Sequence, residues 1–443
     1  MNIENIAFTT EFNLCSGCGI CVGICPKQCI QWEKNDNGMY QPCVNSNACI
    51  RCGLCKEVCP GLGHQYGGKL DWEAVQGEVL QAYNAWSRSP EIRHVSASGG
   101  IVSTVIQHLL EKGSYDVAFL VDGYDYYHQL FTTPVTIKEL KEGIESSSYP
   151  KSRYLPVSHE NAVSYARSNR TKKIIIVGTS CAIRGFLSAV ERLGLERENY
   201  LLIGLFCDRV FTYNVIEYYS QSAFCGEKKL DELHFKNKES GGWPGNMKFI
   251  FSDGSIAYQD KSERAKVKDY FIPERCLYCI DKLNVCADIS LGDNYTQQDS
   301  SLLGSNSVII RTKRGLAAWE ESEALVESHN VSVQEIMQAQ FIDWRLNNLC
   351  YGMLKEKEIL NQSGQKIDFN EGIYTERKQN EYYERWKENL KMLRIGEQYR
   401  DHPEALQKHI EKLNREKKRG KIGQFSSRVY HFVKRRLGKK ELS

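Results

Sequence analysis

Two short segments near the N-terminus carry cysteines at a spacing that suits iron–sulfur chemistry. The segments are CSGCGICVGICP, residues 15–26, and CIRCGLCKEVCP, residues 49–60, and both have the form C-x2-C-x2-C-x3-C-P. Three such closely spaced thiolates can surround one [4Fe-4S] cubane, while the fourth reaches across to a neighbouring cluster. We therefore predict one cluster bound by Cys15, Cys18, Cys21 and Cys59, and a second bound by Cys49, Cys52, Cys55 and Cys25.

Zinc binding and disulfide formation are the other common uses of clustered cysteines. Zinc ribbons place two C-x2-C pairs well apart, whereas here three cysteines in register precede a Cys-Pro, but a zinc-stapled interaction protein stays an alternative. The N-terminus, MNIENIAFTTEF, lacks the apolar stretch of a secretory signal, so we expect a cytoplasmic, reducing location and no structural disulfides among the 17 cysteines. Cys29 and Cys43 lie outside the pattern, and we interpret both as packing residues.

A second group of cysteines lies in the middle of the chain. The segment CLYCIDKLNVCADISLGD supplies Cys276, Cys279 and Cys286 at the spacing C-x2-C-x6-C. Three ligands need a fourth, and Cys181 and Cys207 each follow a predicted buried strand, where α/β folds place functional groups. We predict a third [4Fe-4S] cluster here. Zinc, or a partly unoccupied set of cysteines, are the alternatives, and Cys181 or Cys207 alone could instead pack as a small apolar residue.

Two loops have the composition of anion-binding sites. SASGG, residues 96–100, precedes an amphipathic helix, and VGTSC, residues 177–181, ends a predicted buried strand. Hydroxyls and amides at such positions can bind a pyrophosphate or a carboxylate, although helix capping explains the same serines. The candidate residues are Ser96, Ser98, Gly99 and Gly100 in the first loop and Gly178, Thr179 and Ser180 in the second. Neither loop matches G-x-G-x-x-G, so a nicotinamide-binding Rossmann site is unsupported.

The surrounding sequence predicts an α+β protein of three parts. Residues 1–66 form a small ferredoxin-type domain that ends in the glycine-rich PGLGHQYGGK, and residues 346–443 form a charged helical tail. Residues 67–345 form a mixed α/β domain, because strand-like runs alternate with helical patterns such as GGIVSTVIQHLLEKG. The strand-like runs are YDVAFLVDG, KKIIIVGTS, YLLIGLFC and SVIIRT. MKFIFSDGSIAYQD predicts a hairpin with a type I′ turn at Asp253-Gly254.

Length and charge exclude some functions and suggest one interaction surface. A chain of 443 residues with net charge +3 and no membrane-length apolar run predicts a soluble protein without a nucleic-acid partner. Residues 415–443 contain eleven Lys or Arg and two Glu, so the excess charge is local. Apolar residues share one helical face in this tail: Ile422, Phe425, Val429, Phe432 and Val433. The pattern is typical of a helix at an anionic lipid surface or at a protein partner, and we predict a possible peripheral membrane contact.

Six segments, in this order, resemble the coenzyme F-420 hydrogenase/dehydrogenase beta-subunit family. They are RHVSASGGIVSTVIQHLLEKGSYDVAFLVDG, SSSYPKSRY, IIIVGTSCAIRGFLSAV, LIGLFCD, FKNKESGGWPGNMKFIFSDGS and CLYCIDKLNVCADISLGDNY. The resemblance implies an iron–sulfur flavoprotein, with FAD beside a [4Fe-4S] cluster. It leaves the substrate open, because some members reduce the deazaflavin coenzyme F-420 and a relative reduces 7-hydroxymethyl chlorophyll.

The resemblance also implies roles for particular residues. The family's SGG motif corresponds to residues 98–100, and its GSKY motif supplies Lys151 or Arg153 as a basic member. Its GTPC motif corresponds to residues 178–181, with Ser180 in place of proline. Two aspartates, Asp288 and Asp293 in ADISLGD, could orient cluster ligands or substrate or lie at the surface, and FKNKESGGW could meet an anionic cofactor or be solvated. The residues of that last segment are Lys236, Lys238 and Trp243.

These features together predict an oxidoreductase that moves electrons through the clusters to FAD and on to a small-molecule acceptor. Its expected partners are an external electron donor, such as ferredoxin or a hydrogenase or dehydrogenase subunit, and the acceptor itself. An electron-transfer subunit without a substrate of its own is the first alternative, and the zinc-stapled protein is the second.

Overall fold

The computed structural model describes residues 5–62, 72–121, 123, 126–146, 152–224, 228–239, 241–346, 376–400 and 402–419. Three of the features predicted from sequence lie outside these ranges: Lys151, the glycine-rich exit after residue 62, and the amphipathic part of the basic tail. The domain boundaries at 66/67 and 345/346 therefore stay predictions.

The N-terminal region consists of short helices and one hairpin wrapped around the two cysteine segments. Its elements are α1 (Ala7–Glu11), α2 (Ile20–Ile24), β1 (Ile30–Lys34), β2 (Tyr40–Val44) and α3 (Leu54–Glu57). Helices α2 and α3 carry the third cysteine of their segments, Cys21 and Cys55. Strands β1 and β2 pair antiparallel between the two segments and so hold them side by side.

A nine-stranded sheet forms the centre of the molecule, and a three-stranded sheet flanks it. The strands after β2 are β3 (Gln81–Ser87), β4 (Val117–Val121), β5 (Leu130–Val135), β6 (Val157–Ser158), β7 (Ile174–Gly178), β8 (Tyr200–Leu205), β9 (Leu230–Asn237), β10 (Asn246–Phe251), β11 (Ile256–Gln259), β12 (Ile289–Asp293), β13 (Asn306–Ile310) and β14 (Val326–Asn330). The order in the large sheet is β14-β3-β13-β12-β8-β7-β4-β5-β6, and in the small one β11-β10-β9.

Helices cover both faces of the large sheet. The remaining helices are α4 (Trp72–Gln76), α5 (Pro90–Val95), α6 (Ile101–Glu111), α7 (Ile137–Glu145), α8 (Glu160–Ser168), α9 (Ser180–Arg192), α10 (Asn214–Phe224), α11 (Lys261–Val267), α12 (Lys313–Ser322), α13 (Val333–Ala339), α14 (Glu376–Gln398) and α15 (Pro403–Arg419). Helices α6, α7 and α12 pack on one face, and α8, α9 and α2 pack on the other. Because both faces are covered, strands such as β7 and β13 are almost continuously apolar.

The direction of the strands brings several loops to one edge of the sheet. Strands β7, β8 and β12 are parallel, and β13 is antiparallel to both β12 and β3, so β3 runs parallel to β12. The carboxyl ends of β3, β12, β8 and β7 therefore meet at the same edge. SASGG, Asp293, Cys207 and Cys181 follow or end these strands, and the topology thus gathers the predicted functional residues.

The N-terminal region packs on the large sheet without a gap. Helix α2 buries Ile20 and Ile24 in the same apolar core as α8 and α9. The approach is close: a Cβ atom on Gly23 would lie 2.5 Å from the carbonyl oxygen of Glu160, and one on Gly185 would lie 2.8 Å from Cγ1 of Ile20. Only glycine allows α2 to approach α8 and α9 at these two points.

The C-terminal helices also pack on the molecule. Leu393 of α14 contacts Ile272 and Leu277, and Leu406 and Ile410 of α15 join the apolar core of the small sheet. The predicted fold class is confirmed: a ferredoxin-type region, a mixed α/β domain and a helical C-terminal region. Among the described helices, none combines the length and apolarity needed to cross a membrane.

The hairpin prediction is confirmed in part. Strands β10 and β11 pair antiparallel around Asp253-Gly254. The type I′ turn is wrong, because Gly254 has φ +79° whereas Asp253 is not among the residues with positive φ, and type I′ requires positive φ at both.

Candidate redox site

The structure brings together the four cysteines predicted for the first cluster. Cys15, Cys18, Cys21 and Cys59, called the first quartet below, are close enough for their charges to interact. Burial raises the pKa of Cys15, Cys18 and Cys59 to about 12, and that of Cys21 well above its ordinary value. A cation or metal cluster bound by these buried thiols would have to supply the positive charge that makes them thiolates, and protons would leave as it binds.

The second predicted set lines one cavity. Cys25, Cys49, Cys52 and Cys55, called the second quartet, line a space of about 370 Å³. The cavity thus joins the last cysteine of the first segment to three of the second, as the spacing predicts. Burial alone would raise the pKa of Cys25, but hydrogen bonds from nearby backbone amides outweigh burial and lower it.

The two cysteines outside the pattern differ from each other. Cys29 is buried in the same cavity, and its sulfur lies 3.5 Å from that of Cys25. Cys43 is exposed on β2, so the interpretation of Cys43 as a packing residue is wrong. Within strand β2, Gln41 and Pro42 are buried and Cys43 is the exposed residue.

Four further cysteines gather at the edge of the large sheet. Cys181 lies in the first turn of α9, directly after β7, and Cys207 lies two residues beyond β8. Cys276 and Cys279 come from a turn of 3-10 helix and the residues after it. The thiol of Cys207 interacts by charge with all three others, and burial raises its pKa well above the ordinary value. We call these four residues the sheet-edge quartet.

Cys286 has a different environment from the one its spacing predicts. Its strongest charged neighbours are Arg184, Asp281 and Arg311 rather than thiols, and it packs against the core beneath α9. The chain turns away between Cys279 and Cys286, because the side chain of Asn284 bonds the carbonyl oxygen of Gly178 at 3.0 Å. Cys181 and Cys207 both belong to the sheet-edge quartet, whereas the sequence offered each of them as a candidate for a single fourth ligand.

Basic side chains surround the sheet-edge quartet. Arg345 donates to the carbonyl oxygen of Cys279 at 2.8 Å and to Oδ1 of Asp208 at 2.9 Å. Burial lowers the pKa of Lys282 to about 8, and Lys268 pairs with Asp208 close by. More cations than carboxylates therefore face these thiols, which offsets the negative charge of four thiolates.

Cys181 connects the sheet-edge quartet to the first quartet. Its charge interacts with those of Cys15 and Cys18 as well as with that of Cys207. His159 lies at the same junction: its amide donates to the carbonyl oxygen of Cys18 at 2.8 Å, and burial lowers its imidazole pKa to about 4. The two groups of cysteines are therefore adjacent.

A second polar group forms where the SASGG loop meets the end of β12. Lys236 pairs with Asp293 in a buried contact, and the hydroxyl of Tyr295 donates to Asp293 at 3.1 Å. Although burial opposes it, the Lys236 ammonium lowers the pKa of Asp293, and the Ser98 hydroxyl contributes. The ring of Trp243 lies 5.8 Å from that of Tyr295. Residues of FKNKESGGW and of the ADISLGD segment thus meet beside the SASGG loop.

This group fits a planar, polar cofactor. Among the residues that the structure describes, Nε1 of Trp243 and Oδ1 of Asn306 are buried without a hydrogen-bond partner. A Cβ atom on Gly99 would lie 2.7 Å from Oδ1 of Asn306, so glycine allows the SASGG loop to pass close to that oxygen. Aromatic faces, buried cations and unsatisfied polar atoms are the features that bind a flavin ring and its substituents.

Several predicted residues have structural roles. The ammonium of Lys238 donates to the carbonyl oxygens of Arg93, Ser98 and Leu303, so it fastens the SASGG loop. Ser96 caps the preceding helix by donating to the carbonyl oxygen of Ile92 at 2.6 Å. The hydrogen bonds of Lys238 and Ser96 described here are all made to backbone carbonyl oxygens of the protein and not to a ligand.

The VGTSC loop lies at the cysteines and not at the SASGG loop. The Ser180 hydroxyl donates to the carbonyl oxygen of Asp281 at 2.7 Å, and Oγ1 of Thr179 lies 3.2 Å from the sulfur of Cys181. Gly178 accepts the bond from Asn284 described above. These three residues position Cys181.

The two aspartates of ADISLGD lie at opposite ends of β12. Asp293 is at the edge that carries the site, whereas Asp288 is fully buried at the other edge. There Asp288 accepts hydrogen bonds at 2.9 Å from Arg197 and at 2.8 Å from the amide of Leu202. The expectation that Asp288 orients ligands or substrate is wrong, because β12 is long enough to separate the two carboxylates. Arg153 is buried and donates to the carbonyl oxygen of Gly123 at 3.1 Å.

Three sequence models of known domains match parts of the chain. A sequence model of a 4Fe-4S dicluster domain matches residues 14–61. Models of the N-terminal and C-terminal parts of the coenzyme F-420 hydrogenase/dehydrogenase beta subunit match residues 82–163 and 171–338. The prediction of 4Fe-4S clusters in the N-terminal region is confirmed at the level of the domain.

Two individual proteins are similar to the chain. An uncharacterized protein of Methanocaldococcus jannaschii is 23% identical over 350 residues, which are 69% of this chain and 85% of that protein. A chain of the F-420-reducing [NiFe] hydrogenase complex from Methanosarcina barkeri, solved after xenon derivatization, is 17% identical with a TM-score of 0.48. That comparison covers 64% of this chain and 94% of the other.

Proposed function

Because the chain belongs to the coenzyme F-420 hydrogenase/dehydrogenase beta-subunit family, we propose that it is a flavin-dependent iron–sulfur oxidoreductase. It exchanges electrons between an external donor and a small organic two-electron acceptor, of which coenzyme F-420 is the family's example. The observation that carries the proposal is the position of Cys181, which lies between the first quartet and the sheet-edge quartet and so makes the cysteine sites continuous.

The proposed ligands are the first and second quartets for two [4Fe-4S] clusters and the sheet-edge quartet for a third. Bound clusters supply one-electron transfer, and a bound flavin converts single electrons into two-electron chemistry. The protein supplies thiolates, excludes water and balances charge. Arg345 and Lys282 supply positive charge at the sheet-edge quartet.

The proposed flavin site is the group beside the SASGG loop. The amides of Gly99 and Gly100 precede the N-terminus of α6 and suit a phosphate. Trp243 and Tyr295 offer aromatic faces, and Lys236 offers a cation for a reduced, anionic flavin. Strand β12, which ends at this site, neighbours β8, which ends near Cys207, at a strand spacing of about 5 Å. A flavin here would lie next to the sheet-edge quartet.

An electron-transfer subunit that passes electrons to a larger complex is a second candidate. The surface around the second quartet favours it, because Cys52 is exposed and the neighbouring Ile50 is 57% exposed. An apolar side chain beside a cluster ligand suits a protein that docks to deliver or accept electrons. A zinc-stapled interaction protein is the weakest candidate, because residues 14–61 match a domain that binds two 4Fe-4S clusters.

The metal and flavin content of the purified protein separates these candidates. Purified without oxygen, the full chain should contain about twelve iron atoms and about one FAD. Iron without flavin would favour the electron-transfer subunit, and a colourless zinc protein would contradict both.

Two alanine variants test the third cluster directly. Cys276→Ala should lose about a third of the iron, whereas Cys286→Ala, from the same C-x2-C-x6-C segment, should lose none. Equal iron in the two variants would contradict the assignment of the sheet-edge quartet. Flavin released by acid, measured in both, reports whether the rest of the site is intact.

A further inference from the structure

The cavity of the second quartet contains a fifth thiol. Cys29 is buried there, with its sulfur 3.5 Å from that of Cys25. Its thiol also interacts with that of Cys49, and its own backbone amide donates to the sulfur of Cys25. Cys29 therefore touches two of the four proposed ligands.

The local backbone directs Cys29 into this position. Gln28, immediately before it, has φ +48°, a left-handed conformation that costs a non-glycine residue about 1 kcal/mol or more. On its other side, the carbonyl oxygen of Cys29 accepts from the amide of Asn45 at 2.8 Å, which anchors it to the end of the hairpin. A residue that only filled space would not need this turn.

The two cysteine segments differ at this position. Cys29 lies four residues after Cys25, and the residue four after Cys59 is Gly63. The otherwise repeated segments therefore provide a spare thiol for the second cluster, and no cysteine at the matching position for the first.

We propose that Cys29 is a reserve ligand of the second cluster, able to replace Cys25. The proposal rests on the ligand assignment made above for the second quartet. In the exchange, the Cys29 thiol gives up its proton and forms a sulfur–iron bond, while the Cys25 sulfur–iron bond breaks and the released thiolate takes up a proton. No electrons are gained or lost, so the exchange needs no oxidant or reductant.

Iron analysis of four variants of the full chain, purified without oxygen, tests this proposal. Cys25→Ala should keep the iron content of the unaltered protein, and so should Cys29→Ser. The double variant with Cys25→Ala and Cys29→Ser should lose about a third of the iron, which is one cluster of three. Serine is close to cysteine in size, so the packing around position 29 is kept. Cys52→Ala is the matched control: the contacts of Cys29 described above are with Cys25 and Cys49, so this variant should also lose about a third.

The possible results distinguish the reserve ligand from the assignment on which it rests. If Cys25→Ala loses as much iron as the double variant, Cys29 is not a reserve ligand. If Cys52→Ala and the double variant both keep all their iron, the second quartet is assigned wrongly. The reduced Cys25→Ala protein gives a further check that does not need the double variant. Its electron paramagnetic resonance spectrum should change for one cluster at full iron content, and an unchanged spectrum would contradict the replacement.

Discussion

The N-terminal region and the sheet-edge quartet place cysteines in opposite ways. In the N-terminal region all eight ligand candidates lie within residues 15–59, and short turns and helices determine which of them meet. In the sheet-edge quartet the cysteines come from residues 181 to 279: the parallel strands β7 and β8 place Cys181 and Cys207 at one edge, and the amide of Cys207, which donates to the carbonyl oxygen of Lys282 at 2.9 Å, holds the segment of Cys276 and Cys279 beside them. The first arrangement is local and the second depends on the whole fold.

The two regions also differ in how they offset the charge of thiolates. Around Cys25, backbone amides of residues 27–29 donate to sulfur. Around the sheet-edge quartet the backbone amide of Val210 donates to Cys276, and the charge of Arg345, which is held in place by Asp208, acts on Cys207. The cysteines of the sheet-edge quartet, and the basic side chains that balance their charge, thus come from segments that are far apart in the sequence.

The largest effect is expected at Cys181, where the two regions meet. Cys181→Ala and Cys207→Ala should each lose about a third of the iron. Only Cys181→Ala should also change the electron paramagnetic resonance spectrum of the first cluster, because only Cys181 interacts with Cys15 and Cys18. If the two variants give the same spectrum, the two regions are not coupled through this residue.

A smaller effect is expected from His159, which lies at the same junction. Its imidazole pKa is lowered by burial from 6.5 to about 4, so the unfolded chain takes up a proton below pH 6.5 and the folded chain does not. Stability from this group is complete above pH 6.5 and is lost as the pH falls towards 4, by about 3 kcal/mol.

Denaturant unfolding measures this contribution of His159 to stability. We compare His159→Gln with the unaltered protein at several pH values and without oxygen. The variant should lose less stability than the unaltered protein between pH 6.5 and 4, while all other titrating groups contribute equally to both. Parallel pH profiles would contradict the buried, neutral state of His159.

The smallest effect is expected at the contact between α2 and α9. Gly185→Ala places a methyl group 2.8 Å from Cγ1 of Ile20, and overpacking of this kind costs about 1 to 3 kcal/mol. Ser188→Ala on the same helix is only partly buried and should change stability by less than about 0.5 kcal/mol. Equal unfolding midpoints for the two variants would mean that α2 packs less closely on α9 than the distance between Gly185 and Ile20 indicates.

The sequence predicts the local features well and the long-range ones in part. The spacing of the cysteines is sufficient to group the first and second quartets, because the elements between them are short. The spacing does not predict the position of Cys286. Although Cys286 follows Cys276 and Cys279 at a regular spacing, the chain turns at Asn284 and Cys286 packs against the core.

Side-chain roles that depend on neighbouring strands are harder to predict. Asp288 and Asp293 look equivalent in ADISLGD, and only the length and direction of β12 separate them. Lys238 resembles a ligand-binding lysine in sequence, yet three carbonyl oxygens from other loops surround it. The sequence does contain an indication of the special position of Cys29. A cysteine follows Cys25 by four residues, whereas glycine follows Cys59 by four residues in the repeated segment.

The close packing of α2 on α8 and α9 bears on how electrons enter the molecule. Domains joined by a small polar interface ordinarily move relative to each other. Here Gly23 lies against the backbone of Glu160, Gly185 lies against the side chain of Ile20, and apolar side chains of both regions share one core. The ferredoxin-type region is therefore held at a fixed distance from the sheet edge, and the proposed clusters would exchange electrons without a movement of one domain relative to the other.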